Sequence, residues 1–174
     1  MIFTTISTDG RPNAAPIGLH MKDGRFFARM YKSKTLDNIR GKKAAAANII
    51  DDPMLFVQSA LSDILPDNFD RIGGFPVLKD ALGWIIFDCK IRKGETISVV
   101  ELSPVEAQIK HRQIKPINRG FNAVIEATVE ATRYVVLKDK KFLDRIEYYD
   151  TIVRKCGGPR EKEAMKLLFD LVRE

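Results

Sequence analysis

The chain has 174 residues, 45% hydrophobic and 30% charged, with 29 Lys and Arg against 23 Asp and Glu, for a net charge of +6. That length describes one domain, or a domain with an appendage, able to bury roughly 70% of its unfolded surface without covalent staples. Two cysteines (Cys89 and Cys156) and no run approaching ~20 apolar residues exclude a disulfide framework and a helical membrane span, while the basic balance favours an anionic partner.

The opening "MIFTTISTDG" has no basic stretch followed by an apolar core. No secretory leader is read there, and a cytoplasmic protein is expected. Ile2 to Thr8 reads as a strand, beginning so early that the natural chain could start further upstream. Asp9-Gly10 suits a turn with positive φ. Asn13 to Met21 reads as the second strand, Lys22-Asp23-Gly24 as a tight turn, and Arg25 to Tyr31 as the third strand. Thr35 or Ser33 then caps a short helix running to Gly41. "KKAAAANII", residues 42 to 50, has helix-favouring alanines but lies between turn signals, and reads as a buried strand. In Asp51-Asp52-Pro53, an N-cap acid followed by Pro opens another helix. Residues 62 to 76 read as a loop, and Val77 to Leu82 as a short helix. Trp84 to Ile91 and Ile97 to His111 are strands, the latter broken by a bulge or edge position at Ser103-Pro104.

From Asn118 the texture changes to helix. Asn118 to about Leu137 is largely apolar, and Phe142 to Lys155 carries Phe142, Ile146, Tyr149 and Val153 in an amphipathic stripe. Gly157-Gly158 ends that helix, and Pro159 opens a last one with Met165, Leu168 and Leu171 inward. About six or seven short strands with hairpin turns predict a small barrel or strongly curved sheet, mainly β with α. Residues 1–117 form this core and 118–174 a helical segment packed on it or on a partner. A doubly wound α/β sheet is the runner-up, but the turns joining the first three strands are too short for parallel crossovers.

Conventional catalytic signatures are missing. There is no glycine-rich dinucleotide or phosphate loop. His20 and His111 are the only histidines; neither stands in a nucleophile-base context, and a zinc site lacks ligands. In "NAAPIG" the small Ala14, Ala15 and Gly18 leave a strand without bulk, while Pro16 belongs at an edge or bulge. A flat ligand could lie along it, or the small residues could serve close packing of a barrel corner. In "YKSKTLDNI", Lys32, Ser33, Lys34, Thr35 and the first amides of a helix match a phosphate monoester, against a plain capped turn with solvated lysines. In "KPINRGFNAVIEA", Asn118, Arg119 and Asn122 either cap a helix or reach a ligand, Arg119 being suited to bidentate phosphate contact.

The strings "TTISTDGRPNAAPIG", "YKSKTLDNI", "AANIIDDPMLF" and "PINRGFNAVIEATVEATR" together resemble the FMN-binding split-barrel superfamily. The closer resemblance is to a largely archaeal branch catalogued as a domain of unknown function. It implies a six-stranded Greek-key barrel that dimerises, with FMN in a groove shared by two subunits. By position it implies that Asn13, Ala14, Ala15, Pro16 and Ile17 line the isoalloxazine through backbone groups. Tyr31, Lys32, Ser33, Thr35 and Asn38 would surround the phosphate, and Asn48 would lie on the ribityl side. Asn118 and Arg119 would reach the flavin of the same or the partner subunit. No catalytic side chain and no metal is implied. The expected activity is that of an NAD(P)H-linked flavin reductase acting on a small acceptor. The alternatives are a non-catalytic flavin-binding or storage module, and an anion- or nucleic-acid-binding barrel. No nicotinamide-binding segment is recognisable, and a nucleic-acid partner is disfavoured because the cations are interspersed with acids.

Overall fold

The structure, a computed structural model, describes residues 1–92 and 94–173. In chain order the elements are β1 (Ile2–Ile6), β2 (Pro12–Pro16), β3 (Leu19–Lys22), β4 (Arg25–Met30), α1 (Lys34–Lys42), β5 (Ala44–Ile49) and α2 (Pro53–Leu61). A single 3-10 turn (Pro66–Asn68) precedes β6 (Phe69–Ile72), β7 (Phe75–Leu78), β8 (Gly83–Arg92), β9 (Ser98–Ile109), α3 (Arg119–Leu137), α4 (Lys140–Cys156) and α5 (Pro159–Arg173). They form two units: Met1–Asp51 with Ile64–Arg112, and Asp52–Asp63 with Gln113–Glu174.

In the first unit a seven-stranded sheet runs β2-β1-β5-β8-β9-β4-β3, with β6-β7 as a separate hairpin. Every pairing in it is antiparallel. Its two edges, β2 and β3, are separated in sequence by Ile17 and Gly18 alone. Three peptide steps reach about 11 Å, whereas six flat inter-strand spacings would place the edges about 29 Å apart. The sheet must therefore curl until its edges approach. Phe3, Ala28, Met30, Ala45, Ala47, Phe87 and Val100 fill the concave side, joined by Leu36 and Ile39 of α1.

The strand expected over Asn13 to Met21 is thus two strands. Asn13 to Pro16 pairs with β1, while Leu19 to Met21 pairs with β4. Ile17-Gly18 is where the chain passes from one edge of the sheet to the other. The loop expected over residues 62 to 76 and the helix over Val77 to Leu82 are also corrected. Gly73 and Gly74 both hold positive φ (53° and 85°), a two-residue hairpin turn that joins β6 to β7 and makes Val77 and Leu78 strand. The irregularity expected at Ser103-Pro104 is a bulge: Phe87 faces Pro104 and Ile86 faces Glu106, leaving Val105 extra. The alanine-rich β5 is a strand as expected, buried on both faces: Ala45 and Ala47 point into the core, and Ala46 packs with Val77 and Trp84 on the other side.

The second unit packs α2 with the three C-terminal helices around Val57, Val124, Ala127, Ile146, Val153, Met165 and Leu168. Asp52 caps α2 through Met54 N–H at 2.8 Å and also receives Arg160 of α5 in a two-point pair, Nε at 3.1 Å and Nη2 at 2.6 Å. Gly120 lies so close to the turn before α5 that a Cβ there would sit 2.4 Å from Gly157 Cα. No helix among the described residues is long and apolar enough to cross a membrane.

One buried amide fixes the sheet. Asn48, on β5, is fully buried. Its Nδ2 donates to Ile2 O at 3.1 Å, Thr4 Oγ1 at 3.2 Å and Ala46 O at 3.3 Å, while its Oδ1 accepts from Leu78 N–H at 2.8 Å. Thr4 Oγ1 donates to Pro76 O at 2.6 Å, so the same spot clamps β7 onto β1 and β5. Asn48→Ala strands buried donors and acceptors on all three strands. We expect a loss of about 2–4 kcal/mol, since each unsatisfied buried group costs roughly 1–3 kcal/mol, measured as a lower urea midpoint.

Candidate functional site

The free edge of β2 has an unusual main-chain pattern. Ile17 N–H donates to Met1 O at 2.9 Å and Ser7 N–H to Arg11 O at 2.9 Å. These bonds put the odd-numbered residues of β2 in the hydrogen-bonded pairs with β1. Pro12, Ala14 and Pro16, paired with Ile6, Thr4 and Ile2, therefore turn their main-chain groups away from β1. Both prolines lack an N–H, so the edge offers three carbonyls and the single donor of Ala14. This explains how a strand can hold two prolines without losing a ladder bond.

Beside this edge lies the start of α1. Ser33 is its N-cap, its Oγ accepting from Leu36 N–H at 3.3 Å and its carbonyl from Asp37 N–H at 3.0 Å. Of the two caps the sequence allows, the structure thus uses Ser33. Asp37 in the first turn and Arg40 and Lys42 in the last match the helix dipole. Lys43 closes the helix in the left-handed region, φ 54°.

Two buried amide–hydroxyl bonds tie α1 to the sheet. Asn13 of β2 donates to Thr35 Oγ1 at 3.2 Å, and Asn38 donates to Thr5 Oγ1 of β1 at 3.0 Å. All four residues are buried. The structure thus brings Asn13, Thr35 and Asn38 together, with Thr5 as a fourth member that sequence reading passes over because a strand threonine looks like an ordinary β-former. Ala14 to Ile17 form the adjoining edge and crossover. Tyr31, Lys32 and Ser33 are exposed between β4 and α1, and with the helix N-terminus they make the polar, cationic end of the site.

Three of the expected site residues have structural roles or belong to the other unit. Asn48 offers no amide group to a ligand, because both ends of its side chain are taken by the β1–β5–β7 clamp. Asn118 and Arg119 belong to the helical unit. There Asn118 caps α3, Oδ1 accepting from Phe121 N–H at 3.1 Å, and its Nδ2 donates to Glu161 Oε1 at 2.9 Å. Glu161 Oε2 in turn accepts from Gly158 N–H at 2.8 Å. The capping alternative thus describes Asn118; Arg119 is exposed at the first position of the helix.

Of the two free cysteines, Cys156 is exposed and Cys89 is buried. Cys89 is buried in the core with its thiol pushed up to about 12, chiefly by desolvation and secondarily by Asp88, so it stays protonated at neutral pH. His20 stacks on Phe27 with ring centroids 5.1 Å apart. No group of three or more potential metal ligands occurs among the described residues.

The curled antiparallel sheet with opposed edges is the flavin-reductase-like split barrel. The styrene monooxygenase flavin reductase SMOB of Pseudomonas putida S12 shares it at TM-score 0.54 and 10% identity, over 67% of this chain and 91% of that one. A flavin reductase domain protein from Arthrobacter sp. FB24 does so at 0.52 and 18%, over 66% and 79%. Much nearer is the FMN-bound protein MM1853 of Methanosarcina mazei, 42% identical with TM-score 0.92 over 98% of this chain and 93% of that one. The uncharacterized protein MJ1453 of Methanocaldococcus jannaschii is 22% identical over 97% of this chain and 95% of its own length. Residues 1–111 match the N-terminal domain of the protein of unknown function DUF447, and residues 118–170 match the companion DUF447 segment. The chain belongs to the DUF447 family.

Thr35→Val keeps the packing volume but removes the acceptor of Asn13. We expect about 1–3 kcal/mol of destabilisation from the stranded amide, against about 1 kcal/mol for loss of the cap in Ser33→Ala. Thermal or urea unfolding of the two variants would separate these costs.

Proposed function

We propose that the chain is a homodimeric flavoprotein that binds FMN non-covalently and passes electrons from a reduced nicotinamide nucleotide to a small acceptor. The observation that carries this reading is the FMN-bound protein MM1853, which this chain matches at 42% identity over nearly its full length. The site residues fit such a cofactor chemically. The β2 edge, one donor among three acceptors flanked by small side chains, complements the mixed donor–acceptor rim of an isoalloxazine. Ser33, Lys32 and the start of α1 complement a phosphate monoester. When bound, the flavin supplies the redox chemistry. Asn13, Thr35, Asn38 and Thr5 hold the edge and the helix end in fixed relation.

Purified protein is expected to be yellow, and to bind FMN more tightly than riboflavin. Ser33→Ala should lower FMN affinity roughly ten- to hundred-fold through one lost charge-assisted bond, with riboflavin affinity much less changed. An unaltered ratio would overturn the phosphate assignment. Anaerobic mixing with NADH or NADPH should bleach the flavin absorbance. If FMN binds but neither nucleotide reduces it, the chain is a flavin-binding module and not a reductase.

Support for a dimer comes from β9. Only Ser98–Leu102 of this strand pairs with β4. Beyond it Val105 and Ile109 are 62% and 65% exposed, two apolar side chains on an open strand edge suited to a second copy. Wild type should sediment as a dimer, and Val105→Asp should shift it toward a monomer of about 20 kDa. A wild-type monomer at micromolar concentration would overturn the proposal.

A further inference from the structure

The outer face of β3, β4, β9 and β8 does not include the main-chain edge of β2 and has a composition the flavin reading does not use. The strand registers place His20 opposite Phe27, Phe27 opposite Glu101, and Glu101 opposite Lys90. The neighbouring row sets Arg29 opposite Val99 and Val99 opposite Arg92, and the hairpin end sets Lys22 opposite Arg25. The face therefore carries Lys22, Arg25, Arg29, Lys90 and Arg92 around one aromatic pair. Arg92 is paired with Glu101 at 2.6 Å. Lys22, Arg25, Arg29 and Lys90 have no ion-pair partner among the described residues.

A cleft of about 720 Å³ opens here, lined among others by Lys22, Arg25, Phe27, Arg29, Arg92 and Glu101. Phe27 is partly exposed in it. His20 stacks on its ring, and the Arg29 guanidinium lies 6.0 Å from its centroid. Unpaired cations repel one another, and a partly exposed phenyl ring leaves apolar area in water. An anion bearing a planar ring relieves both. One aromatic pair offers a platform for one ring, where a nucleic-acid strand needs a succession of them. The arginines beside it suit a phosphate or diphosphate.

We propose that this face is a second, separate ligand site that takes a nucleotide, its base against Phe27 and its phosphates on Arg25 and Arg29. The test is calorimetric titration of the purified, flavin-loaded protein with ADP, with adenosine and inorganic phosphate as separate arms. ADP is expected to bind, and Arg25→Gln/Arg29→Gln to weaken it by roughly tenfold or more, with bound flavin retained. Phe27→Leu should weaken ADP and adenosine while sparing inorganic phosphate. Should the double variant fail to fold, Arg29→Gln alone serves, read against the same flavin absorbance. The proposal is overturned if ADP does not bind at millimolar concentration, if the arginine variants bind it as wild type does, or if ADP binds only by displacing FMN. Tighter binding of oligo-dT than of ADP would instead make the face a nucleic-acid surface. A protein that purifies without flavin fails the earlier reading and leaves the ADP titration to be read on its own.

Discussion

The Asn48 amide is the constraint on which the rest of the first unit depends. A carboxamide with no exposure to water is tolerated only where all its hydrogen-bonding capacity is met, because the surroundings cannot screen what is left over. Its partners come from β1, β5 and β7. Shifting any of these strands by one residue would turn a polar group into apolar packing and an apolar side chain outward. The four bonds therefore select one register as well as stabilising it. Since β1 pairs on its other side with β2, that register also sets which β2 residues face the open edge.

On the proposed reading, edge protection and ligand binding use the same device. A bare edge strand invites pairing with another chain, and proline is one way of blunting it. Here Pro12 and Pro16 occupy positions whose nitrogens face away from β1, so the inner ladder loses nothing and the outer edge loses two of its three donors. What remains, one N–H between carbonyls, is too sparse to template a strand but sufficient to orient a small planar molecule. The helix beside it is held from within by the Asn13–Thr35 and Asn38–Thr5 bonds. Its exposed end, Tyr31 to Ser33, is thereby left free of structural duty beyond the cap.

Features set by nearest neighbours in the chain were legible in the sequence. The Asp23-Gly24 turn, the cap at Asp52, the Pro159 helix start and the apolar stripe of α4 depend on a few adjacent residues, and the structure has them where the sequence places them; at Asn118, where the sequence left a cap or a ligand contact open, the structure shows the cap. The alanine run of β5 was legible too, because turn signals bounded it. What was not legible depended on distant partners. Alternation over Asn13 to Met21 cannot reveal that its two halves pair with different strands. The clamp made by Asn48, placed near a cofactor only by the family resemblance, was not legible because its acceptors and donor lie 2 to 46 residues away. The β6–β7 hairpin was a different kind of miss: Gly73-Gly74 between apolar residues is a local signal, outweighed by reading the flanking polar segment as loop.

A site placed on main-chain atoms, as proposed for the β2 edge, is constrained in how it can change. Side-chain sites are rebuilt by substitution, whereas the carbonyls of Pro12, Ala14 and Pro16 persist whatever side chains surround them, and only proline at position 14 would remove the remaining donor. Substitutions along β2 act chiefly by altering bulk over the edge or by shifting the backbone through Asn13. The polar side chains tying α1 to the sheet, Asn13, Thr35, Asn38 and Thr5, are amides and hydroxyls, while Lys32 stands at the exposed helix end and the buried thiol, Cys89, is held protonated by the core. Neutral dipoles and small groups along the β2 edge would leave the reactivity of a redox cofactor bound there to the cofactor's own electronics and to what approaches it. On the proposed reading, discrimination among acceptors would then reside in the shape of the approach, set by residues outside β2 and α1, so that relatives could keep the same edge and helix cap while serving different acceptors.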